Sequence, residues 1–159
     1  MQNSISIVQI IQAMLAPGLM ISGCGLLLLG INNKYSLIVN RIRLLNQEKR
    51  RLAAKSGIKD LGYDEEVRLE SIVMQMQKLL YRVRLVRDIV ISYSIAVAFF
   101  VLASIFIGVE FLAKDVNMQS LALVFFVLGV FLVLVGILLA AFETKKGYDI
   151  VKIEVKAEE

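Results

Sequence analysis

No charged residue occurs between Ile5 and Ile31, and this run constrains the chain more than any other. About 20 apolar residues suffice to cross a bilayer as a helix. The run also gathers small or ring-closed residues at Ala16, Pro17, Gly18, Ser22, Gly23, Cys24 and Gly25. Lipid supplies no hydrophobic force between helices, so small residues mark where helix backbones approach closely. The run therefore predicts a membrane helix whose packing face is built from those residues. Pro17 lacks an amide hydrogen, and a kink is expected there.

Two further runs, Ile89 to Leu112 and Leu121 to Phe142, are long enough to span. A hydrophobic content of 58% and a mean hydropathy of +0.73 agree with a membrane chain. The first run does not read as a cleaved leader: MQNS carries no Lys or Arg, and the apolar core is too long. Ile21-Ser22-Gly23-Cys24 resembles a lipoprotein cleavage box, but GLLLLGI follows it and is more membrane core. Packing at a helix contact is the better reading of Cys24.

Charge gives the expected topology. The 32–88 segment holds thirteen Lys or Arg, the residues before Ile5 hold none, and the 113–120 link holds only Lys114. The 143–159 tail holds four. Positive charge stays cytoplasmic, so the expectation is a membrane protein with its N-terminus out and its C-terminus in. The inner face would meet anionic headgroups; no nucleic-acid footprint is present, because basic residues alternate with acids.

The 32–88 segment reads as two helical arms. Ile38, Ile42, Leu45 and Leu52 recur at helical spacing, as do Leu69, Ile72, Met76, Leu79 and Val83. That pattern is a coiled-coil seam. AKSGIKDLGYDEE separates the arms, with two glycines and an acidic helix start. The expectation is an all-α membrane protein in which a cytoplasmic antiparallel hairpin, 32–88, joins spans 5–31 and 89–112, followed by span 121–142. Val39, Val73, Leu80, Leu37 and Leu44 widen the apolar surface beyond what one seam needs. Self-association, or a cytoplasmic protein partner, is the expected use. The tail from Glu143 alternates at IVKIEVK and reads as a short strand or a loose helix.

One further stripe carries a choice of readings. Gly18, Ser22, Gly25, Asn33, Ser36, Asn40, Arg43 and Gln47 project in one direction at ~100° per residue. Small residues pack helices more often than they line pores. In a ring of copies, however, Ser22, Gly25, Asn33, Ser36, Asn40 and Arg43 would line an axial path. Glu110 is the one acid in a predicted span, a candidate ion-interacting residue or the partner of Lys114 one turn on.

No chemistry is written in the chain. It has no His and one Cys, which removes the commonest general base and any internal disulfide. No phosphate loop, dinucleotide fingerprint, zinc spacing or nucleophile–base pair occurs. The expectation is a protein that is not an enzyme and carries no cofactor or metal. It would serve as a homo-oligomeric interaction or scaffold protein or, alternatively, as a small channel lined by the first span.

IQAMLAPGLMISGCGLLLLGINNKYSLIVNRIRLLNQE followed by RLVRDIVISYSIAVAFFVLASIFIG resembles a bacterial membrane family known as domain of unknown function 2721. The Met-Leu-Ala-Pro start, the Ile-Ser-x-Cys-Gly core and Asn40 to Arg43 carry the resemblance. It extends from about Ile7 to Lys145 and implies three spans around a cytoplasmic hairpin in an inner membrane. It implies no activity, cofactor or catalytic residue.

Overall fold

The computed structural model describes residues 7–56, 62–112 and 118–156. These form three helices: α1 (Ile7–Ser56), α2 (Tyr63–Leu112) and α3 (Gln119–Lys156). No strand occurs among the described residues. Each helix is long and apolar enough to cross a membrane, and the most apolar window of α3 reaches a mean hydropathy of 3.2. The 113–117 part of the link and Asn3 lie outside the described residues.

The helices outrun the apolar segments. α1 passes through Pro17 as one element and continues to Ser56. α2 opens on Asp64, Glu65 and Glu66, acids that suit the positive end of a helix dipole. The Gly62 carbonyl accepts from the Glu65 and Glu66 amides at 2.9 and 3.1 Å. α3 does not stop at Phe142. The alternation at IVKIEVK left strand and loose helix open; this segment is helical to Lys156. No proline interrupts it, and a continuing helix has already met its nucleation cost.

The described contacts divide the chain into two compact units, one of residues 1–30 and 88–140, the other of 31–87 and 141–159. In the first, α2 and α3 are antiparallel and meet through glycine. A Cβ on Gly129 would lie 2.7 Å from the Phe100 ring, and one on Gly136 would lie 2.9 Å from Tyr93. The two glycines are seven residues apart, as are the two rings, so each ring rests on bare backbone. Phe100 and Tyr93 are fully buried as a result. Dispersion contact of this kind is the main force available between helices in lipid. The Ser92 hydroxyl adds a 2.8 Å hydrogen bond to the Leu132 carbonyl. Ser104 instead bonds its own helix at the Phe100 carbonyl. From α1, Cys24 closes a small core with Ala96 and Phe100.

In the second unit α1 and α2 also run antiparallel. Glu48 pairs with Arg68 at 2.9 Å and Lys55 with Glu65 at 3.3 Å, so advancing along one helix retreats along the other. Ile38, Leu45, Ile72 and Val86 are buried between the charged faces. Ile42, Leu52, Leu69, Met76, Leu79 and Val83 are half-buried.

Candidate functional site

Among the described residues, a polar constellation surrounds Glu143, in the second unit. Its side chain is 1% exposed. From α2, Arg82 donates to Glu143 Oε1 through Nη2 at 2.7 Å and Nε at 3.1 Å. From α1, Lys34 Nζ lies 3.5 Å from Oε2 and 3.3 Å from the Thr144 hydroxyl. One carboxylate thus draws on all three helices. Burying a charge is costly unless it is paired and hydrogen-bonded, and here both oxygens have cationic partners.

Gly147 makes the arrangement possible. A Cβ there would lie 2.8 Å from Arg82 Nη2. The glycine stands one helical turn beyond Glu143 and leaves room for the guanidinium to lie flat against α3. Among the basic residues of the 32–88 segment, Arg82 is turned inward, with its side chain 22% exposed. Sequence reading passed over Glu143 by assigning it to the tail. The available signal was a lone acid directly after an apolar run, with cations at the corresponding ends of the other two runs.

The arms expose large apolar side chains despite their charge. Tyr63, Val67, Met74 and Tyr81 stand at spacings of four, seven and seven along α2 and are 80%, 50%, 53% and 49% exposed. Leu37 and Leu44, seven apart on α1, are 63% and 61% exposed. Val73 and Leu80 are exposed as well.

The residues singled out in the first span divide between two environments. Pro17 and Cys24 are buried. Ala16, Gly18, Ser22, Gly23 and Gly25 are exposed, and Gly18, Gly23 and Gly25 have open space where a Cβ would stand. The Ser22 hydroxyl turns back to its own helix, donating to the Gly18 carbonyl at 3.2 Å. Asn33, Ser36, Asn40 and Arg43 are exposed along the same helix. Glu110 is half-buried and borders a groove of the first unit. No cluster of three or more metal-ligating side chains occurs among the described residues.

The family described as protein of unknown function (DUF2721) matches residues 14–153. The chain belongs to this family. The DUF2721 match takes in α1 from Met14, all of α2 and α3 to Ile153, and so includes Lys34, Arg82 and Glu143. No curated protein and no solved structure matches the chain.

Proposed function

We propose that this DUF2721 protein is a homo-oligomeric scaffold of the bacterial inner membrane that presents a coiled-coil helical hairpin at the cytoplasmic face. In this reading it organises protein partners and catalyses no reaction. The observation that carries it is the exposed apolar row Tyr63, Val67, Met74 and Tyr81 on helices too charged to lie in lipid. Val67, Met74 and Tyr81 repeat every seven residues, which suits a further helix packing against them. The exposed glycines of α1 support a matching contact between copies within the bilayer.

The orientation follows the basic residues, with the arms and the end of α3 inside and the beginning of α1 outside. The Glu143 cluster then lies near the inner boundary, where it ties the foot of α3 to the two arms.

Crosslinking tests the scaffold reading. With Cys24 replaced by Ala, a Met74→Cys protein in mild detergent should give dimers or larger species with a short bis-maleimide. Val67→Lys with Tyr81→Lys should abolish them. Native mass spectrometry showing monomer alone would overturn the assembly.

A second reading is a small channel, favoured by the exposure of Ser22, Gly25, Asn33, Ser36, Asn40 and Arg43 along one helix. Reconstituted vesicles would then pass ions, Asn33→Leu would change conductance, and Arg43→Glu would shift selectivity from anions toward cations. Vesicles that stay sealed around the assembled protein dismiss the channel and leave the scaffold.

A further inference from the structure

The three apolar runs meet the charged arms at Ile31, Ile89 and Phe142, and cations gather there. Within five residues beyond those points stand Lys34, Arg84, Arg87, Lys145 and Lys146, against Asp88 and Glu143. Five cations less two carboxylates leave +3. The residues that flank the other ends of the runs, 1–4 and 113–120, hold only Lys114 and Asp115, which cancel. Counting all of residues 148–159 as well, with four acids and two bases, still leaves the first sum positive. Five helical residues rise about 7.5 Å. That matches the depth of a headgroup layer, roughly half the difference between a 30 Å hydrocarbon core and a 40–45 Å bilayer.

The fold draws these cations into one collar. Lys34 of α1 and Arg82 of α2 both reach Glu143 of α3, so the three helices meet at this level of the second unit. Glu143 is spent inside the collar, buried with both oxygens engaged. The cations are not. Lys34 keeps 46% of its side-chain exposure, and Arg84, Lys145 and Lys146 are exposed. Lys146 has a defined direction. Its Nζ lies 5.7 Å from the centroid of the Phe142 ring, one turn back toward the apolar run. That ring is itself 46% exposed. An ammonium thus stands over the last apolar side chain of the span, where a lipid phosphate meets its chains.

We infer that this collar holds anionic phospholipid, of the phosphatidylglycerol kind, in the leaflet around it. Headgroup phosphates accept from Lys146, Lys145 and Arg84, and the upper part of an acyl chain lies on Phe142. Each Lys or Arg near an anionic surface adds to the attraction. A phosphatidylcholine headgroup has no net charge to offer. The inference requires only that the apolar runs lie in a bilayer. It stands whichever leaflet the collar faces and whether or not copies assemble, so the scaffold and channel readings fail or hold separately from it.

The purified protein in mild detergent is exchanged into an equimolar mixture of phosphatidylglycerol and phosphatidylcholine with identical chains. Native mass spectrometry then counts the lipids retained. Phosphatidylglycerol should exceed phosphatidylcholine by about ten-fold, the scale of one or two such cations. The triple change Arg84→Gln, Lys145→Gln and Lys146→Gln leaves Lys34 and Arg87 cancelled by Asp88 and Glu143, and should bring the ratio near one. Lys49→Gln, Arg50→Gln and Arg51→Gln remove the same charge about 27–30 Å beyond Ile31, and should leave the ratio as in wild type. For the unaltered protein, lipid exchange in about 1 M salt should lower the ratio several-fold. Equal retention of the two lipids by wild type, a ratio indifferent to salt, or a preference that survives the collar changes overturns the inference. An equal loss on removing the three distant cations also overturns it, because overall charge and not the collar is then what attracts the lipid.

Discussion

Arg82 and Glu143 meet at 2.7 Å across α2 and α3, over the bare backbone of Gly147. The carboxylate is sealed from water while the guanidinium keeps part of its exposure. Removing the carboxylate therefore harms the cations less than removing the cations would harm the carboxylate. Glu143→Ala should cost about 3 kcal/mol, the low end for breaking a buried pair, because Lys34 regains water. Arg82→Ala should cost more, leaving Glu143 with Lys34 alone at 3.5 Å. Unfolding by SDS, followed by far-UV circular dichroism, ranks the variants. Indistinguishable midpoints for wild type and Arg82→Ala would contradict this account.

The glycines of α1 and α3 should respond oppositely to one methyl group. Gly129→Ala drives a Cβ into the buried Phe100 ring and should cost about 1–3 kcal/mol. Gly18→Ala meets no atom within 4 Å, and should gain up to about 1 kcal/mol of helix propensity in the isolated chain. If α1 packs against another copy, the same Gly18 change should lower crosslinking yield. Thermal melts of both variants, run as monomers and under assembling conditions, separate these effects.

The Glu48–Arg68 pair makes a pH prediction. The hydrogen bond from Arg68 holds the Glu48 carboxyl below its ordinary range, and Arg68 is correspondingly raised. A folded-state value below the unfolded one contributes stability above the unfolded value, about 4.3 for Glu. That contribution is lost as pH falls through the folded value. Wild type should therefore melt slightly above Glu48→Gln at pH 7, with the difference closing at pH 3. Both residues are exposed, so salt should reduce the gap. A gap that widens on acidification would show that the pair has been misread.

Topology is open to direct labelling. In a protein whose Cys24 is replaced by Ala, cysteines at Asn3 and Asn117 should react with an impermeant maleimide on intact cells. A cysteine at Ser56 should react only after lysis. Reaction at position 56 on intact cells would reverse the orientation.

What the sequence revealed depended on the range of the interaction. The three apolar helices were legible because span length is a local property of a run such as Ile89 to Leu112. The seam positions Ile38, Leu45 and Ile72 were marked by periodicity, and all three are buried. The seats at Gly129 and Gly136 were not legible. A glycine in an apolar run looks the same whether it faces lipid or a ring, and the difference lies on another helix. Glu143 escaped for a similar reason: its partners stand 61 and 109 residues away. Pairing of that separation leaves no periodic trace in one sequence. The tail past Phe142 stayed open between strand and loose helix because a short alternating stretch was weighed without the helix that precedes it.

Phe100 on Gly129 and Tyr93 on Gly136 have one more consequence, for engineering. Two rings seated seven residues apart fix the axial offset of α2 against α3 without help from the segment that joins them. That segment then has only to span the gap. Lengthening a connection between two fixed ends costs little, about 0.6 kcal/mol per doubling. A Gly-Ser insertion or a short affinity tag placed after Lys114 should therefore be tolerated, which makes this position the natural place to attach a reporter.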